Sequence, residues 1–169
     1  LLIPLFKGKI KSGFMLALPV LAFWAIATAA SGSYWVFPVL DYDLVLGRVD
    51  ALSRVFGYIF CIVTFLGVVF ALNIDDDLQF CAAFAYAGGA LGVTFAGDVF
   101  SLYIFWEIMA VASTFLILAR RTRASQAAAM RYILVHIFGG LCLLAGIILY
   151  VQRTGTTQFG LMHLSGIDS

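Results

Sequence analysis

Of 169 residues, 63% are hydrophobic and 11% are charged, and the net charge is only +1, whereas soluble domains average about 45–50% apolar and about 25% charged residues. These proportions exclude a water-soluble globule, a disordered chain, a nucleic-acid binder built on a basic patch and an acidic tail protein. They leave an all-α integral membrane protein, and because one span takes about 20 apolar residues, the length holds at most about five or six spans with short loops.

The chain opens on Leu1-Leu2-Ile3-Pro4-Leu5-Phe6, with no Met and no signal-peptide n-region, and runs at once into Lys7, Lys9 and Lys11. This predicts the tail of a span begun upstream, followed by a basic loop. Phe14 to Ala30 is the first charge-free stretch unbroken by turn residues and forms the next span. Ser31-Gly32-Ser33 ends it, and Tyr34-Trp35 reads as an interfacial aromatic pair. Asp41 to Leu46 alternates with period two, which predicts a short strand or hairpin outside the bilayer within about residues 34–50.

Asp50 can cap a helix beginning at Ala51, with Arg54 at the headgroup level, and Val55 to Ile74 gives 20 uncharged residues for the third span. Asp75, Asp76 and Asp77 form an acidic turn; consecutive carboxylates point in different directions, so a solvated loop is expected rather than a divalent-cation site. Leu78 to Gly97 supplies a fourth span, with Gly88 and Gly92 spaced for close helix approach. Val99 to Ala119, 21 residues, is a fifth span, with Asp98 as its N-cap. Tyr132 to Gln152 is a sixth, entered at Arg131, and the tail after Arg153 forms a loop. Cys61, Cys81 and Cys142 lie in apolar runs without ligand spacing and read as small hydrophobes.

Alternate loops lie on opposite faces. Lys7, Lys9, Lys11, Arg120, Arg121, Arg123 and Arg131 fall on one side, and Arg48, Arg54 and Arg153 on the other. The first set is therefore expected in the cytoplasm, with the hairpin and the 153–169 loop facing outward.

One residue asks for an explanation beyond packing. Glu107 stands nine residues into its 21-residue span, where an ionised carboxylate costs at least about 2.5 kcal/mol. Helical stepping puts Tyr103, Glu107, Ala110, Val111 and Thr114 on one stripe, expected to face the protein interior. A buried carboxyl with no partner holds its proton and one beside a cation releases it, so a carboxyl moved between the two surroundings transfers protons. His136, inside the sixth span with Tyr132 before it and Gly139-Gly140 after it, is the other candidate for proton transfer. A neutral histidine hydrogen-bonded in a packed seam fits that position equally. Arg131, Tyr103 and Thr114 are secondary candidates. Haem ligation is not expected, since His163 falls outside the bilayer. No Walker loop, dinucleotide fingerprint, Ser-His-Asp arrangement or zinc spacing is present, so no catalytic residue, cofactor or metal is expected.

The run Gly97-Asp98-Val99-Phe100-Ser101-Leu102-Tyr103-Ile104-Phe105-Trp106-Glu107-Ile108-Met109-Ala110, with Ala112 to Ile117, resembles the antiporter-like proton-translocating membrane subunits shared by respiratory complex I and Mrp-type Na+/H+ antiporters. Val49 to Ser53 and Met130 to Leu134 resemble the entries to that family's third and sixth helices, and Thr154-Gly155-Thr156 is most similar to the D-type member of the Mrp assembly. The resemblance implies a fold of about fourteen spans with inverted five-helix repeats, of which residues 1–75 would supply the first helices and residues 78–152 the start of the first repeat. It also implies that Glu107 pairs with a lysine on a broken seventh helix beyond this chain. The function implied is cation/proton antiport, with Na+ as the cation, inside a multisubunit assembly of the bacterial inner membrane. The alternatives are a proton-pumping subunit of an NADH-quinone oxidoreductase or membrane hydrogenase, and a structural bundle that moves no ion.

Overall fold

The computed structural model describes residues 8–39, 42–74 and 76–159; the expected first span at residues 1–6 and most of the 153–169 loop, with His163, lie outside them. The elements are α1 (Gly8–Thr28), β1 (Gly32–Val39), β2 (Tyr42–Val49), α2 (Ala51–Ala71), α3 (Asp77–Phe95), α4 (Val99–Leu118) and α5 (Arg123–Thr154). All five helices are long and apolar enough to cross a membrane, and each packs against the next in chain order.

The predicted hairpin is present as an antiparallel pair, with Gly32 opposite Val49 and Val39 opposite Tyr42. Helix boundaries differ most from the charge-free runs in two places. The predicted Lys7–Lys11 loop is helical from Gly8, and Lys11 lies in the first turn of α1 with its side chain nearly buried. Its ammonium group pairs with Asp77 at 2.6 Å and lies 5.4 Å from the Phe80 ring centroid, which offsets the cost of withdrawing a charge from water. α5 starts at Arg123 rather than Tyr132, because Thr122 and Ser125 form a capping box ahead of a helix-favouring alanine run. Its 32 residues carry Arg131 and Arg153 at either end of the apolar part.

The two ends of the bundle are held by different polar contacts. At the basic end, Asp76 caps α3 and takes an ion pair from Arg121 at 3.2 Å, close to the Lys11–Asp77 pair. Asp76 and Asp77 thus form a clasp joining α1, α3 and the α4–α5 loop, while Asp75 of the predicted acidic turn lies outside the described residues. At the hairpin end, Asp50 caps α2 in a reciprocal box with Ser53, and Arg54 donates to Ala29 O at 3.0 Å and to Ser31 Oγ at 3.3 Å.

Asp98, fully buried, does more than cap α4. One oxygen accepts from the Phe100 and Ser101 N–H groups at 2.9 Å each, and the other accepts from the Ser101 hydroxyl and the Val45 N–H at 2.6 Å each. Gly97 N–H donates to Val45 O at 2.9 Å, and Val99 N–H to Thr157 O at 3.0 Å. A β-carbon at Gly97 would overlap Val45. The hairpin, the start of α4 and the segment after α5 therefore meet at one tripeptide.

Replacing Asp98 with Ala removes a cap and strands buried donors. A loss of about 2–4 kcal/mol follows, read as a lower thermal midpoint of the full-length protein in detergent. Asp50 gives a pH signature. Its carboxyl is held below its ordinary value of 3.8, chiefly by the Ser53 N–H. Because the folded-state value is the lower one, the stabilisation is complete above pH 3.8 and is lost as pH falls through the folded value. Asp50→Asn, which caps without titrating, flattens this acid limb in a stability-against-pH series.

Candidate functional site

α3 and α4 are held at close quarters by glycine. A β-carbon at Gly92 would overlap the Phe105 ring, and one at Gly89 would lie 3.2 Å from the Met109 backbone nitrogen. Gly88 faces open space, so the close approach comes from Gly89 and Gly92 and not from the Gly88–Gly92 spacing read in the sequence. With α4 fixed in this way, its opposite flank meets α5.

The predicted stripe is only partly interior. Ala110 is buried, Tyr103 and Thr114 are half-buried, and Val111 is exposed. The Thr114 hydroxyl donates to Ala110 O at 2.9 Å, a bond within its own helix. Arg131 is exposed, as a snorkelling side chain would be.

Glu107 and His136 are brought together. His136 Nε2 lies 3.9 Å from Glu107 Oε1, and neither of these buried atoms has a hydrogen-bond partner. The separation is about 1 Å beyond a hydrogen bond, so a small rotation of the carboxyl closes it. Gly140 makes room, although for the carboxyl rather than for the imidazole, since a β-carbon there would overlap Glu107 Oε1. Gly139 faces open space. Away from His136, Glu107 also lines a groove of about 490 Å³ between α3 and α4, with Leu78, Cys81, Ala82 and Ala85 on the α3 side. The carboxyl thus stands between a seam containing a titratable ring and an apolar groove.

Around His136 the structure joins Tyr132, read from the sequence as lying one turn before it, with Trp106 and Ser113, which sequence reasoning did not weigh. The Trp106 and Tyr132 rings stack on the imidazole with centroids 6.3 and 5.9 Å away. The Tyr132 hydroxyl is 2.7 Å from Ser113 Oγ. Ser113 lies six positions along α4 from Glu107, and its hydroxyl was the available signal.

Five membrane-length helices, an antiparallel hairpin between the first two and a carboxyl set in the middle of an apolar helix define a multi-pass membrane protein. Residues 96–167 match the NADH:quinone oxidoreductase/Mrp antiporter transmembrane family. The chain is 33% identical over 138 residues to the Na(+)/H(+) antiporter subunit A1 of Staphylococcus aureus strain bovine RF122 / ET3-1, and 30% identical to the protein of the same name from strain JH9. Each match takes in 77% of this chain and 17% of the relative's length. The fold is similar to a chain in the membrane-bound sulfane sulfur reductase, an archaeal respiratory membrane complex, with a TM-score of 0.69 at 22% identity. That match covers 93% of this chain and 34% of the other.

Gly140→Ala tests the seating of the carboxyl. A helix-interior alanine is favoured over glycine by about 0.5–1 kcal/mol, so thermal stability holds or rises while the carboxyl is turned out of the seam. The check is a shift in the Glu107 carboxyl infrared band, assigned by its loss in Glu107→Gln.

Proposed function

We propose that this chain is part of a membrane subunit of a multisubunit cation/proton antiporter, with Na+ as the cation, and that Glu107 and His136 transfer protons within it. The supporting observation is the Glu107–His136 approach, in which two titratable groups on neighbouring helices face each other at 3.9 Å with no other partner for the facing atoms. Leaving such groups unpaired in a seam is costly for packing alone. It suits a pair that exchanges a proton, because once the gap closes a proton held on either group can be donated to the facing atom of the other.

In this reading a proton on the carboxyl leaves Glu107 neutral in its apolar surroundings. A cation brought near favours the anion and releases the proton. His136 is the partner on this chain, and the lysine implied by the family resemblance is the partner beyond it. Arg131, Tyr103 and Thr114 are secondary: Arg131 adds positive potential at the basic end, Tyr103 lines the route one turn from Glu107, and Thr114 has its donor occupied within α4. Residues 78–152 then form the start of the antiporter repeat, after the first helices in residues 1–75. The basic end faces the cytoplasm of a bacterial inner membrane, and the hairpin and the 153–169 loop face outward. The relatives' shared name favours an A-type member of the assembly over the D type suggested by the 154–156 run.

The test is Glu107→Gln in the full-length subunit within its assembly, in everted vesicles with a pH-sensitive dye. Na+-driven proton flux falls by at least about 100-fold, the lower range for losing a general acid–base group, while assembly persists. Wild-type flux overturns the assignment and leaves Glu107 as interhelical packing. Pumping that needs an electron donor and ignores Na+ moves the chain to the redox-linked branch of the family.

A further inference from the structure

We propose that Tyr132, pinned by Ser113, is a positioning residue that keeps the His136 imidazole turned toward Glu107. The proposal rests on the proton-transfer reading of Glu107 and His136 and adds what holds the ring. Ser113 Oγ donates its single proton to Ala110 O at 2.8 Å. The 2.7 Å contact with Tyr132 is therefore donated by the phenol. The result is a short directed chain, from Tyr132 to Ser113 to the Ala110 carbonyl, anchored on one of the most deeply buried residues of α4.

Every donor in this chain is occupied, so it fixes the phenol and passes nothing on to the imidazole. What the fixed phenol offers His136 is its face: the rings lie 5.9 Å apart at 27°, and the Trp106 ring lies 6.3 Å away at 26°. Such spacings fall within ordinary aromatic stacking. Since His136 Nε2 makes no hydrogen bond, packing against these rings sets the direction in which it points. Among the described elements α5 packs only on α4, and the titratable groups facing His136 are Glu107 across the seam and Tyr132 one turn away on α5. Without the Ser113 bond the phenol is free to swing, and the imidazole gains room to turn from the carboxyl.

The experiment uses the full-length subunit in its assembly, measuring the initial rate of proton flux in everted vesicles across a pH series. Tyr132→Phe and Ser113→Ala each lower the rate by about three- to tenfold, the size of one net hydrogen bond, and move the pH midpoint in the same direction. The double variant is no slower than either single one, and Ser113→Thr, which keeps a hydroxyl, retains the rate. Wild-type rate and midpoint in Tyr132→Phe, in membranes where Glu107→Gln and His136→Gln are inactive, overturn the positioning role alone, as does a double variant whose loss is the product of the single losses. Full flux in both Glu107→Gln and His136→Gln overturns the proton-transfer reading and the positioning role with it.

Discussion

A polar group taken out of water needs a partner, and in an apolar bundle water reaches chiefly the two ends. That constraint arranges most of this molecule. Backbone groups are satisfied within the helices, and the charged side chains gather where each helix starts or stops. At the basic end Lys11–Asp77 and Asp76–Arg121 close a clasp over three segments. At the other end one buried carboxylate, Asp98, satisfies donors from α4 and from the hairpin. Caps that would be local devices in a soluble helix therefore also serve as ties between helices.

The middle of the α4–α5 seam departs from this arrangement. Glu107 is not at an end, and its inner oxygen is unsatisfied although the chain could have placed leucine there. The seam is built around that carboxyl: Gly140 gives up a side chain to admit it, and His136 faces it under two aromatic rings. Nearer the hairpin end α5 instead buries branched apolar side chains, Ile147 and Val151.

Much of this arrangement was legible in the residues. Charge-free runs located the five described spans, period-two alternation located the hairpin, and an aspartate before an apolar run marked the caps at Asp50 and Asp98. Hydropathy reports the membrane rather than the helix, so the polar first turns of α5 and the helical Lys11 escaped it. Asp98 reads as a simple cap because its other donor, Val45, lies 53 residues away. Glycine spacing identified a face of α3 but not its register, which is why Gly89 and not Gly88 meets α4. The Glu107–His136 approach depends on the rotation of α5 about its own axis. Surrounding residues that are apolar on every side leave no amphipathic stripe from which to read that rotation.

The two arginines of α5 set an electrical coordinate. Arg131 and Arg153 are separated by about 33 Å of helix at 1.5 Å per residue, close to the hydrocarbon thickness of about 30 Å, so sliding α5 either way would drag a guanidinium into lipid. Held at that depth, His136 lies five residues, or about 7.5 Å of helix, inside the basic face. In the proposed proton transfer, a charge reaching its ring from that side would cross about a quarter of the membrane's voltage drop, about 0.6 kcal/mol for each 100 mV. On the proposed proton-transfer reading, the spacing of the two arginines would set the fraction of the bilayer voltage felt at that ring.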